Sequence, residues 1–298
     1  MNAAGAGAGA ASVTLTAQSS ALPPAATRIA GELLARLDRA LPGRIEGFYV
    51  VGSACMGAFR EGQSDVDFVA VVKGGLSRTD SARLRAVHTE RWASALVHDV
   101  GLRRRWPLIG NGIYLRPGDL AKSPLDVTPL AGHVSGRFRV AERQGFDVNP
   151  VTWHVLARHG IAVRGPAPEQ LRIHMDPAEL RAWTLDNLNS YWRRWAQRAR
   201  RSGLNRATML GRRYTSAGVL SAPRLHYTIA TGEIATKEAG GAYALEVFDP
   251  RWRPLIKDAL AWWLEDPSHR AYRGRPAARR WDAAEFVSGV IDSGNRLG

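Results

Sequence analysis

Cysteine is almost absent: the single Cys55 in 298 residues excludes an intrachain disulfide and any zinc site built on several thiolates, and it suits a reducing compartment. No apolar run approaches the roughly 18 residues that a membrane span needs. The Ala/Gly-rich start lacks the basic stretch that opens a secretory signal, so the expected location is the cytoplasm, with no membrane partner. Lysine is scarce as well, limited to Lys73, Lys122, Lys237 and Lys257, so the 41 basic residues that face 27 acidic ones are nearly all arginine. The resulting formal charge of +14 favours polyanions such as nucleotides or nucleic acid and disfavours free polycations. Arginine enrichment also follows genome composition, so charge alone does not name a partner.

What is present divides the chain into a tail and two unlike halves. Residues 1–26 read as a disordered tail. Residues 27–41 carry apolar side chains at helical spacing, and Pro42-Gly43 stops that helix. Ile45 to Val51 is short, aromatic and β-branched, and ends at Gly52-Ser53, which predicts a buried strand. Asp65 to Val72 predicts a second strand, residues 79–97 a helix, and Gly112 to Leu115 a third strand closed by Pro117-Gly118. The mixture implies an α/β (α+β) domain with a mixed sheet over residues 27–166, ended by the linker Gly165-Pro166-Ala167-Pro168. Beyond it the periodicity is helical throughout, with starts at Asp176-Pro177 and Thr236 and a stop at Gly232, which predicts an all-α helical bundle over residues 167–298.

The chemistry concentrates between residues 52 and 67, in Gly52-Ser53 followed after eleven residues by Asp65-Val66-Asp67. Side chains alternate along a strand, so the two carboxylates share a face. Most isolated D-x-D pairs are solvated or cap a turn. This one opens a strand that continues Phe-Val-Ala-Val-Val, where uncompensated carboxylates are costly and a bound cation is the natural compensation. Magnesium takes oxygen ligands from one or two carboxylates and completes its shell with phosphate and water. A Gly-Ser turn at the end of the preceding strand offers N–H groups and a hydroxyl to an anion. Metal and phosphate would then meet between the two strands, as displacement at phosphorus requires.

This pattern on a strand-helix-strand unit resembles the nucleotidyltransferase superfamily. A second segment, from Arg224-Leu-His-Tyr227 through Thr-Lys237-Glu to Leu245, looks like the C-terminal helical region of the aminoglycoside adenylyltransferases that modify streptomycin and spectinomycin. With Arg164-Gly-Pro166 the segments follow that family's order over most of residues 40–265. The resemblance implies a nucleotidyltransferase domain followed by the helical domain, moving a nucleoside monophosphate, AMP from ATP, to a hydroxyl. By it Asp65 and Asp67 are catalytic and bind Mg2+, while Gly52, Ser53 and Ser64 hold the triphosphate. Lys237 would reach ATP from the helical domain, and Trp263 falls near an aromatic that contacts nucleotide in relatives.

Two departures from the family accompany this. Its third carboxylate, the general base on the next strand, aligns with Asn111, whose amide cannot take a proton at neutral pH. Asp119 and Asp126 are the nearest later acids, and Asn149 aligns where the family can carry an aspartate. The acidic residues that bind the cationic drug in the family are replaced by a stretch containing Arg206, Arg212 and Arg213, so the acceptor is expected to be a small molecule other than a polycationic aminoglycoside. The competing readings are a nucleotide-binding homologue with impaired catalysis and an RNA-binding or RNA-modifying protein, the latter from the arginines at 193, 194, 198, 200, 201, 212 and 213. Cys55 is expected to be buried beside the site. His154 and His159, five apart on a helix, do not share a face and make no metal pair. The tryptophans of the second half, including Trp183, Trp192, Trp195, Trp262 and Trp281, are expected in its core.

Overall fold

The computed structural model describes residues 22–97, 110–142, 147–201 and 209–297. The first helix, α1 (Pro24–Ala40), begins earlier than the sequence suggests. Proline at the first position needs no hydrogen bond for its missing N–H, so the helix takes in the last three residues of the expected tail and buries Ala26. Residues 1–21 lie outside the described ones. The next elements are β1 (Ile45–Val51), β2 (Val66–Val72), α2 (Arg78–Ala95) and β3 (Gly110–Leu115). Ser77 caps α2 by accepting from the Asp80 N–H, and the Asp80 side chain answers by accepting from the Ser77 N–H.

Three further strands were not expected from the sequence: β4 (Ala131–Val134) and β5 (Arg137–Val140) form a hairpin, and β6 (Ile161–Arg164) follows the helix α3 (Pro150–His159). The sheet order is β5-β4-β3-β2-β1-β6. Only the β2 and β3 pair is parallel; the other pairs are antiparallel, so the sheet is mixed. Phe48, Val50, Phe68 and Ala70 face the core beneath α1, while Tyr49, Val51 and Val69 pack with Trp153 and Leu156 of α3. Both faces of β1 and β2 are therefore covered, and Asp67, two positions before Val69, falls on the α3 side at the strand's start.

The second half is helical, as its periodicity predicts. It contains α4 (Pro177–Asn187), one wide π turn over Leu188–Trp192, α5 (Arg193–Arg200), α6 (Arg212–Thr231), α7 (Lys237–Val247), α8 (Arg253–Trp263) and α9 (Pro276–Leu297). Asp176 and Thr236 cap α4 and α7, and α6 ends at Gly232 in the left-handed conformation. Helix α6 is the axle, packed against α4, α7, α8 and α9. Trp192, Trp195 and Trp263 are buried in this domain, but Trp281 is 52 % exposed, because the core-facing side of α9 is supplied by Ala283, Ala284, Val287 and Ile291. Among the described residues no helix is long and apolar enough to cross a membrane.

Candidate active site

The β1 and β2 ladder ends with Val51 opposite Asp67, and the parallel β2 and β3 ladder places Asp67 opposite Asn111. Gly52 follows at φ +70°, and a Cβ there would stand 2.4 Å from Asp67 Oδ2. The chain therefore needs glycine twice over at this point, for the backbone conformation and for the approach of the carboxylate. Ser53 lies in the single 3-10 turn Gly52–Ala54. Ser64 is buried, and its Oγ accepts from the Arg60 N–H at 3.1 Å, which leaves the hydroxyl proton to be donated elsewhere. Asp65, one residue ahead of β2, accepts from Asn111 Nδ2 at 2.9 Å.

Gly52, Ser53, Ser64, Asp65 and Asp67 border one cavity of about 220 Å3, and Lys237, Arg213, Arg224 and Trp263 reach it from the helical domain. The two domains are pinned around it by Arg60 Nε donating to Glu238 at 2.8 Å and by Gln63 Nε2 donating to the Trp262 carbonyl at 3.1 Å. Gln63 Oε1 is buried with no hydrogen-bond partner among the described residues, an acceptor whose burial is costly unless a donor reaches it. Trp263 is 3 % exposed, and the Lys237 ammonium lies 3.9 Å from its ring centroid. That face of the indole is covered by the cation, so a nucleobase meets Trp263 only at another edge or face.

The electrostatics are strongly coupled. Burial, then the charges of Asp147 and Asp65, push the Asp67 carboxyl well above the ordinary range, against the pull of Lys237 and Arg224. Burial, with Arg224 and Arg213 beside it, lowers Lys237 to about 8, and Asp65 and Asp67 oppose the shift. Burial also lowers Arg224, whose Nε donates to the Ala235 carbonyl at 2.7 Å, and lowers Arg213, which Asp65 holds up. A hard divalent cation would restore the charged form of Asp67, so the donor set of Asp65, Asp67 and phosphate oxygens fits magnesium. Among the described residues no three His, Cys, Asp or Glu side chains are placed to hold a metal together.

A second cavity of about 330 Å3 adjoins the first and shares Gly52, Met56, Asp67 and Arg224 with it. Its wall includes Asp147, Trp183, Asn187 and Trp192. Trp183 is thus a cleft residue as well as a helical one. Sequence reasoning passed over Asp147 and singled out Asn149, but Asn149 Oδ1 accepts from the Thr152 N–H at 3.1 Å and caps α3. Nothing in the sequence marks a carboxylate two residues ahead of a helix cap; only the return of the chain to α3 brings it to the end of the sheet.

Arg224 was visible as the head of the second motif, and Arg213 precedes it by eleven residues, about three helical turns, so both share a face of α6. Arg213, one of the arginines that an RNA patch would use, borders the first cavity. Arg212 points elsewhere, donating to the Asp258 carbonyl at 3.0 Å and to its carboxylate at 3.2 Å. Arg206 lies outside the described residues. Arg212 is thus spent inside the helical domain and Arg213 faces the first cavity, so neither borders the second.

The remaining candidates border neither cavity. Cys55 Sγ donates to the Gly52 carbonyl at 3.2 Å, and burial pushes its thiol up to about 12, so it stays protonated. Asp119 is 3 % exposed and accepts from the Arg116 N–H at 3.0 Å and from Lys122 at 2.8 Å. Asp126 is exposed and borders neither cavity. His154 Nδ1 lies 2.8 Å from the Pro150 carbonyl, and His159 is exposed. Arg193, Arg194, Arg198 and Arg200 are exposed on α5.

Comparison with known proteins agrees with this architecture. Residues 202–283 match the model of the aminoglycoside adenylyltransferase C-terminal domain. Over that stretch the chain is similar to the aminoglycoside adenylyltransferases. A solved structure, spectinomycin adenyltransferase AAD(9) from Enterococcus faecialis with ATP and spectinomycin, superposes with a TM-score of 0.58 at 15 % identity, over 88 % of this chain and 99 % of that one. The shared fold is the mixed sheet with the helical domain behind it. No curated protein matches the chain in sequence.

Proposed function

We propose that this adenylyltransferase-like chain is a magnesium-dependent nucleotidyltransferase that moves AMP from ATP onto a hydroxyl of a small acceptor. The observation that carries the reading is the convergence of Asp65 and Asp67 with Lys237, Arg213 and Arg224 on one cavity beside the Gly52-Ser53 turn. In-line phosphoryl chemistry asks for little beyond positioning and charge neutralisation, and this set offers both. Asp65 and Asp67 would hold the magnesium, which when bound would neutralise the phosphates and polarise the α-phosphorus. Ser53 and Ser64 donate to phosphate oxygens, Lys237 and Arg213 balance the triphosphate charge, and the buried Gln63 Oε1 offers an acceptor to a base amino group.

The 330 Å3 cavity beyond Asp67 is where the acceptor would lie. Away from Asp67, Asp147 and Arg224 its wall is neutral, with Trp183, Trp192, Asn187 and Thr152, and the guanidinium offsets part of the acidic charge, which suits a compact hydroxyl compound of low charge better than a polycation. The spectinomycin of the neighbouring structure makes that compound the first acceptor to try.

Pyrophosphate release from magnesium-ATP across an acceptor panel tests the reading. Asp67→Asn is expected to lower it by about 100- to 1,000-fold, the range by which loss of one charge-stabilising group slows such reactions. An Asp67→Asn protein that transfers as well as wild type would contradict it. Asn111 keeps a second reading open, a nucleotide-binding protein of impaired catalysis; magnesium-ATP binding with no pyrophosphate release would favour that one.

A further inference from the structure

The nucleotidyltransferase reading leaves the acceptor proton without a destination. Asn111 occupies the position on β3 where a base is wanted, and both ends of its amide are engaged. Its Nδ2 donates to Asp65 at 2.9 Å, and its Oδ1 accepts from the Ser135 N–H at 3.0 Å. Asn111 thus positions Asp65 and has no proton-accepting group to offer. Among the other acids near the sheet's end, Asp119 is tied to Lys122, and Glu238 is tied to Arg60 on the nucleotide side.

Asp147 differs from all of these in placement. It borders the 330 Å3 cavity together with Asp67 and does not border the 220 Å3 one, so it stands on the acceptor side of the carboxylate pair. Its side chain is open to solvent. It is also close enough for its charge to raise Asp67, yet no three-acid metal cluster forms among the described residues. It is therefore a carboxylate beside the metal pair and separate from it, facing the space where a hydroxyl would approach the α-phosphorus.

We infer that Asp147 is the proton acceptor for the attacking hydroxyl, doing from the segment ahead of α3 what Asn111 cannot do from β3. The inference rests on the function proposed above. As the acceptor oxygen bonds to the α-phosphorus, its O–H bond breaks and the proton passes to an Asp147 carboxylate oxygen. The bond from the α-phosphorus to the bridging oxygen breaks, and the electron pair leaves with pyrophosphate. Nothing is oxidised or reduced.

The test uses the full chain and its Asp147→Asn and Asp147→Ala variants. Pyrophosphate release from magnesium-ATP is followed with spectinomycin, with inositol and with water alone as acceptors. Binding of magnesium and α,β-methylene-ATP is measured by calorimetry. Both variants are expected to lose about 100- to 10,000-fold in kcat while binding the nucleotide analogue like wild type. Formate is expected to restore part of the rate to Asp147→Ala and none to Asp67→Asn. Wild-type kcat in Asp147→Asn would overturn the inference, and so would a loss confined to KM with no rescue by formate. If wild type binds the analogue but releases no pyrophosphate with any acceptor, no base is at work and the inference falls while nucleotide binding stands. Failure to bind the analogue sinks the functional reading itself.

Discussion

Gly52 joins the backbone to the chemistry at the scale of a single residue. Its φ of +70° alone would tolerate alanine poorly, and the added Cβ would also meet Asp67 Oδ2 at 2.4 Å. Gly57 separates the two effects, since it has the same φ of +70° and nothing within 4 Å of a Cβ. Gly57→Ala is expected to lower the melting temperature slightly and leave transfer close to wild type. Gly52→Ala is expected to slow pyrophosphate release by about 100-fold or more, because a displaced carboxylate costs more in rate than the strain costs in stability. Equal losses in the two variants would show that strain, and not the position of Asp67, is what alanine disturbs.

Helix α7 shows how an element's start becomes part of a site. Thr236 caps it, so Lys237 leaves the first turn directly into the cleft and lies against Trp263. Lowered to about 8, Lys237 is mostly charged at pH 7 and loses its proton as pH rises through 8. Only the charged form attracts a triphosphate. Affinity for magnesium and α,β-methylene-ATP, measured by calorimetry, is therefore expected to weaken between pH 7 and 9, and Lys237→Met to bind more weakly at pH 7 with a flatter profile. An unchanged slope in Lys237→Met would remove the lysine from the nucleotide site. The elements also show what could be read beforehand. β1 and β2 were legible because both faces are buried and their composition is apolar, and α6 and α7 because cap and stop residues bracket them. The four-residue strands β4, β5 and β6 are too short to carry a period, and Trp281 follows helical spacing while facing solvent.

At the scale of the whole molecule the site belongs to neither domain alone. Asp67 comes from β2 and Asp65 from the residue just ahead of it, Arg213 and Arg224 from α6 and Lys237 from α7, and the Arg60 to Glu238 ion pair closes the seam. The acids of the first half and the lysine of the second were each legible from a local motif. Asp147 was not, since its meaning depends on the path of the chain from β5 to α3. The most direct measurement is a crystal structure with magnesium and a non-hydrolysable ATP analogue. One metal is expected about 2.1 Å from oxygens of both Asp65 and Asp67, with the triphosphate on the Gly52-Ser53 turn and the α-phosphorus facing the cavity that Asp147 borders. A triphosphate bound away from that turn, or a metal that touches neither aspartate, would contradict that arrangement.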